Sequence, residues 1–191
     1  IEDITVSQRA MDISSKTGHL PVRVEVSLQE AEEVLREDPI LITKTQHGII
    51  TDFSGIDESN APPDSLIALP KNPDETAKRI SDYLTHSVGY RVPVIITDTQ
   101  GRPWRKGAVN LAIGVAGISP FVRNAGKEDI YGRELQGSLV CLADQIASAA
   151  ELLMGQADEG VPVVIVRGVD YGEEDGTASS IIRPSSENLF L

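Results

Sequence analysis

The sequence predicts an α+β fold of small mixed sheets with packed helices, on three observations. Residues 40–45 and 49–53 are strand-like runs joined by His47-Gly48, a hairpin pattern. Four segments carry apolar residues at helical spacing, yet helices and strands do not alternate in a regular βαβ beat. No internal repeat, heptad or linker divides the 191 residues. The expectation is therefore one domain over 1–191, or two small intimately packed lobes.

The elements follow in order. A helix is expected over 4–16, with Ile4, Ala10, Met11 and Ile13 as its apolar positions and Gly18 as its stop. A second is expected over 21–36, carried by Val22, Val26, Ala31, Val34 and Leu35 and ended by Asp38-Pro39. After the hairpin come Gly55-Ile56-Asp57-Glu58-Ser59-Asn60, a Pro-Pro loop and a short strand over 65–69. Asn72 as cap and Pro73 in the first turn open a helix to Thr85. Residues 92–97 read as a buried strand ending directly in Asp98. Residues 108–118 are apolar and Gly-punctuated, and 123–137 form a polar loop. The best helix is 138–154: Leu139, Leu142, Ala143, Ile146, Ala149, Ala150 and Leu153 make its apolar stripe. Asp144, Ser148 and Glu151 are expected opposite that stripe, with Gly155 as C-cap. A further buried strand over 162–167 and an acidic, mobile loop over 172–176 complete the chain.

Charge narrows the function. Seventeen Lys and Arg against 29 Asp and Glu give a net charge of −12, and only 4% of residues are aromatic. Such a surface repels phosphate backbones and offers few stacking platforms, so no nucleic-acid partner is expected. Apolar runs are too short to span a bilayer, and no basic and apolar leader opens the chain, so a cytoplasmic protein with no membrane partner is expected. One cysteine, Cys141, excludes a disulfide framework and a cysteine zinc ribbon. His19, His47 and His86 are too dispersed for a helical metal motif.

Two acids carry chemical interest. Asp98 at a strand end suits a metal ligand or catalytic carboxylate as well as it suits a turn cap. A haloacid-dehalogenase pattern would need an acid two residues on, where Gln100 stands. Asp57, between Gly55 and Asn60, is the second. Two such acids with an amide or hydroxyl make an oxygen-rich site for magnesium or manganese. Arg102-Pro103-Trp104-Arg105-Lys106 is the one dense basic cluster. Its position just after Asp98 would set positive charge beside that site, for anion capture by guanidinium forks. Cys141 reads as core and His47 as a turn residue. No Walker A loop, Gly-x-Gly-x-x-Gly or Ser/His/Asp signature is present.

Taken together, His47-Gly48-Ile49-Ile50, the 55–60 run, Leu69-Pro70, the stretch from Ile95 to Arg105, Ile113-Gly114-Val115-Ala116-Gly117, Tyr131-Gly132-Arg133-Glu134-Leu135, Ala143-Asp144-Gln145, Leu153-Met154-Gly155-Gln156 and Val166-Arg167-Gly168 resemble the coenzyme F420-0:L-glutamate ligase family in order, over nearly the whole chain. The resemblance implies an amide-forming ligase that uses GTP to add L-glutamate in γ-linkage to F420-0, with F420-1 as a further acceptor, through an acyl phosphate. It also implies that family's α+β fold, an intertwined homodimer and two Mg2+ or Mn2+ ions per subunit, with K+ as an additional ion. Carried over, Asp57 and Asp98 would hold one divalent ion, while Thr99 and Gln156 would help to hold the second. Asp57, Asp98 and Arg105 would form the catalytic group, with Arg102 and Arg105 facing the transferring phosphate or the anionic cofactor. Asn60 and the segment Glu151, Leu152, Leu153, Met154, Gly155, Gln156, Ala157 and Asp158 would contact GTP. Family members carry a Gly-Asp-Asp stretch and a Ser-Lys-x-Glu-Gly motif that contact nucleotide, and Ile1 falls after both. A nucleotide-binding regulatory module and a metal-dependent phosphohydrolase are the rival readings.

Overall fold

In the computed structural model, which describes residues 3–172 and 174–190, the chain is α+β. Glu173, part of the acidic loop expected over 172–176, lies outside the described residues. The chain forms two compact units: 1–71, 99–109 and 156–160 in the first, and 72–98, 110–155 and 161–191 in the second.

In the first unit, α1 (Gln8–Thr17) ends where expected, at Gly18 with φ 74°. Its cap is Ser7, whose Oγ accepts from the Ala10 N–H at 3.2 Å. The same Ser7 donates its N–H and Oγ–H to Glu25 Oε2 on α2 (Pro21–Glu30), at 2.9 and 2.6 Å. Ala10, Ile13, Val24, Leu41 and Phe53 close the core between these helices and the sheet. The helix expected over 21–36 stops at Glu30, and β1 (Ala31–Arg36) follows instead. Residues 31–36 pair antiparallel with β2 (Ile42–Thr45), Val34 opposite Thr43, and β2 pairs with β3 (Ile50–Asp52). Ladder bonding to β2 overrides a helical spacing that short amphipathic segments share by accident.

The bonds from Ser7 hold the Glu25 carboxyl below the ordinary glutamate range. Its contribution to stability is therefore complete above the unfolded value and is lost as pH falls through the lower folded one. Glu25→Gln should lower the melting temperature at pH 7, and the gap to the unaltered chain should close below about pH 4. Thermal melts from pH 2.5 to 7 measure this.

In the second unit, α3 (Pro73–Val88) has Asn72 as its cap, with Oδ1 accepting from the Glu75 N–H at 3.1 Å. β4 (Val94–Arg102) and β5 (Arg105–Ala116) form a hairpin whose outer part, 99–109, belongs to the first unit. β6 (Phe121–Arg123) pairs antiparallel with β7 (Leu139–Cys141), which leads into α4 (Leu142–Met154). Val115, Ile118, Ala143 and Ala178 form the core. Gly114 is required on β5, because a Cβ there would lie 2.4 Å from the Pro73 carbonyl oxygen.

The apolar stripe expected on α4 holds in part: Ala143 and Ala150 are buried and Leu142 and Ile146 pack on the core, whereas Leu139, Ala149 and Leu153 are exposed and Ala147 is buried in their place. Asp144, Ser148 and Glu151, expected opposite the core, instead face β5. Glu151 Oε2 accepts from the Asn110 N–H at 2.7 Å, and Ser148 Oγ donates to the Asn110 carbonyl at 2.9 Å. Asp144 Oδ1 accepts from the Ala112 N–H at 2.9 Å. From α3, Asp74 Oδ1 accepts from the Val115 N–H at 2.9 Å. Small residues let α4 approach closely, and its polar side chains then satisfy amide groups on the edge of β5, which among the described residues pairs only with β4. The strand expected over 162–167 is also corrected: the segment has no regular structure, and Val163 and Ile165 are each 76% exposed. Among the described residues no strand pairs with it, so it has no ladder to join.

Candidate functional site

The Asp57 loop is built on a left-handed turn. Phe53, Ser54 and Gly55 have φ of 46°, 53° and 70° in succession, a conformation that costs non-glycine residues of order 1–3 kcal/mol each. Buried hydrogen bonds offset it. Ser54 Oγ donates to the Ser27 carbonyl at 2.6 Å, and the Ser54 N–H donates to Thr43 Oγ1 at 3.0 Å. Ile56 is buried, and Asp57 then emerges exposed, its main chain bridged to Ile67 by two bonds of 2.9 Å. Asp57 Oδ1 accepts from the Ser59 N–H at 2.9 Å and Oδ2 from Ser59 Oγ at 2.6 Å. Burial pushes the Asp57 carboxyl up, but these bonds, the Glu58 N–H and the nearby Arg23 charge outweigh it and hold it below the ordinary range. Asn60 follows with φ 53° on the same turn.

Arg23, on α2, was not visible from the sequence as a site residue. Its Nε and Nη2 donate to the Ile56 carbonyl at 3.1 and 2.9 Å, and its Cζ stacks 4.6 Å from the Phe53 ring centroid. Its carbonyl partner lies 33 residues away, and a basic helix residue carries no local mark of such a contact.

Asp98 does not end a strand. β4 continues through it to Arg102 because a two-residue turn at Pro103-Trp104 folds the polar residues 99–102 back against β5. Asp98 and Thr99 are both half-buried. Alternation along a strand sends their side chains to opposite faces, which suits ligation of different ions and not of the same one. The basic cluster is displaced from Asp98. Arg102 is four residues on, about 13 Å along the strand. Its guanidinium closes the hairpin, donating to the Lys106 carbonyl at 2.9 Å and to the Gly107 carbonyl at 3.3 Å. Arg105 and Lys106 are exposed at this tip beside Trp104, which is 77% exposed.

The segment after α4 turns sharply. Gly155 has φ 66° and ψ −175°, a region essentially restricted to glycine, and its N–H caps the Glu151 carbonyl. Residues 156–158 bend, and the Ala157 N–H donates to Glu159 Oε2 at 2.8 Å, which holds that carboxyl below the ordinary range. Glu151 is engaged by β5, Leu152 and Leu153 are exposed, and Met154 is half-buried. Glu151 to Gly155 belong to the second unit, and Gln156, Ala157 and Asp158 to the first. Within one unit, Asp57 and Asn60 share a turn with Arg23 behind it. Thr99, Arg105 and Gln156 stand on other elements of that unit, and Asp98 belongs to the second.

Each residue that the resemblance assigns to a metal offers the kind of oxygen that a hard divalent ion takes. Asp57 and Asp98 carboxylates, the Thr99 hydroxyl and the Gln156 amide are all oxygen donors, and Asp57 is held ionised. Among the described residues no group of three His, Cys, Asp or Glu side chains stands together. Burial pushes the Cys141 thiol up to about 11, so it stays protonated at neutral pH and is no nucleophile. No described helix is long and apolar enough to cross a membrane.

Comparison with known proteins supplies the context for this geometry. A protein 44% identical over the whole chain and 77% of its own length is the coenzyme F420:L-glutamate ligase of Methanothermobacter thermautotrophicus. Proteins of the same name from Methanocaldococcus jannaschii and Archaeoglobus fulgidus are 45% and 39% identical, over 99% and 100% of this chain and 76% of their own lengths. The F420-0:gamma-glutamyl ligase family model matches residues 1–168, and the chain belongs to that family.

Proposed function

We propose that this chain is an amide-forming ligase that adds L-glutamate in γ-linkage to coenzyme F420-0, and then to F420-1, at the expense of GTP. The observation that carries the reading is identity of about two residues in five, along the whole chain, to proteins named coenzyme F420:L-glutamate ligase. Amide formation at neutral pH requires an activated carboxylate. Transfer of the γ-phosphoryl of GTP to the F420-0 carboxylate gives an acyl phosphate and GDP, and attack by the glutamate amine then expels phosphate. Phosphoryl transfer asks the protein for positioning and charge neutralisation.

Asp57 and Asp98 are the residues to hold one divalent ion, and Thr99 and Gln156 those to help hold a second. Ions bound there would neutralise phosphate charge that a surface of net −12 otherwise repels. Asp57 is kept ionised and bonded by Ser59, and Asn60, close after it, is the residue proposed to contact nucleotide. Exposed Arg105 and Lys106 at the hairpin tip suit an anionic cofactor tail that reaches the protein from solvent. Residues 156–158 are proposed to contact nucleotide, while the Glu151 side chain serves β5.

The test is incubation with F420-0, L-glutamate, GTP and Mn2+, read by mass spectrometry and phosphate release. Glutamylated product with stoichiometric phosphate is expected. Phosphate released without glutamate would indicate a phosphohydrolase, and nucleotide binding without turnover a regulatory module.

A homodimer is part of the same proposal. Val163 and Ile165 are exposed on a segment without regular structure, with Leu152 and Leu153 exposed at 86% and 67%. Exposed apolar side chains of this kind suit burial against a second copy. Light scattering at micromolar concentration should give twice the 20.6 kDa chain mass, and Val163→Lys should shift it toward monomer.

A further inference from the structure

We infer that Arg23 is a positioning residue for the divalent-ion site, setting the direction of Asp57 through the main chain; this rests on the proposed role of Asp57. The loop that carries Asp57 has no regular structure beyond its bridge to Ile67. Its orientation therefore depends on what holds residues 53–58. Arg23 touches that run at three points. Its fork grips the Ile56 carbonyl, one peptide before Asp57, at 2.9 and 3.1 Å. Its guanidinium plane covers the Phe53 ring, which His19 flanks with a centroid distance of 4.3 Å. Its Nε stands 3.7 Å from a Glu58 carboxylate oxygen, and the Arg23 side chain is only 18% exposed.

This geometry does two things. Gripping the Ile56 carbonyl fixes the peptide plane whose other neighbour is the Asp57 Cα, so the carboxylate is aimed by a group that does not touch the ion. Standing 3.7 Å from Glu58, the same guanidinium also draws that second carboxylate to the Arg23 side of the loop, while Ser59 bonds the Asp57 carboxylate directly. Lysine cannot substitute fully: it keeps the charge and the ring contact but lacks the planar fork.

The experiment titrates the apo chain with Mn2+ alone, following free ion by electron paramagnetic resonance, with circular dichroism as the folding check. Arg23→Gln should weaken Mn2+ binding about 10–100-fold, as loss of an outer orienting partner does. Arg23→Lys should be native by dichroism and intermediate in affinity, and the steady-state Mn2+ requirement should rise in the same order. Asp57→Asn runs alongside. Loss of Mn2+ binding in Asp57→Asn with unchanged affinity in folded Arg23→Lys and Arg23→Gln overturns the inference and leaves the Asp57 role standing. Unchanged affinity in Asp57→Asn overturns both. Should Arg23→Gln lose its fold, unaltered Mn2+ affinity in Arg23→Lys is sufficient to overturn the positioning role.

Discussion

Asp98→Asn is expected to slow glutamate ligation about a hundredfold or more, because a negative ligand facing several phosphate charges is lost from the transition state. The exchange is nearly isosteric and the position is half-buried within β4, so the melting temperature should stay within a few degrees. Asp57→Asn should behave alike. Its oxygen can still accept from the Ser59 N–H, and the Ser59 hydroxyl can rotate to accept from the new amide. The double variant should be little slower than either single one, since both acids are proposed to hold the same ion. Ligation rates at saturating Mn2+, with thermal unfolding of each variant, decide the matter. Near-normal turnover in Asp98→Asn, or its collapse on heating, would make Asp98 a structural residue.

The second large effect is on stability. Asp74 Oδ1 accepts from the Val115 and Ala178 N–H groups at 2.9 and 2.7 Å, and Oδ2 from the Ser179 N–H at 3.1 Å. One carboxylate in the first turn of α3 thus joins that helix to β5 and to the 3-10 turn Ala178–Ile181. Asp74→Ala strips three main-chain donors of their acceptor. Each buried orphan costs about 1–3 kcal/mol, and the charge at the helix N-terminus adds about 0.3–1 kcal/mol. With Ser179 exposed and able to turn to water, a loss of roughly 3 kcal/mol is expected. Asp74→Asn keeps one acceptor and should lose less. Urea unfolding of both variants measures the difference; equal stability of Asp74→Ala and the unaltered chain would show that water replaces the carboxylate at no cost.

Features set by neighbouring residues were legible in the sequence. Asn72 and Pro73 open α3, Gly18 closes α1, and His47-Gly48 turns the hairpin, each through local backbone chemistry. The Asp57 loop was legible for the same reason, since glycine, acid, serine and asparagine specify a turn together. What failed depends on distant partners. Residues 31–36 become a strand because β2 is there to pair with them. Asp144, Ser148 and Glu151 look like a solvated face until β5 brings its amide groups to them. Asp98 looked terminal because polarity begins after it, yet hairpin pairing carries β4 four residues further. Arg23 showed no sign at all, its carbonyl partner being remote in the chain.

The carboxylates that cover β5 also impose an order on folding. β5 is a 12-residue strand, and the groups that cover its open side come from before it, in α3, and from well after it, in α4. A nascent chain that has just made the β4–β5 hairpin therefore lacks the acceptors for the Asn110 and Ala112 amide groups until α4 has emerged and docked. Asp74 is not fully engaged until residues 178 and 179 follow, 104 and 105 positions after it. During that interval the strand is a template for pairing with another chain, and edge-to-edge aggregation competes with docking. The acids on α4 act in this sense as gatekeepers. They give β5 an intramolecular partner that is not a strand, so the sheet cannot grow once the helix is in place.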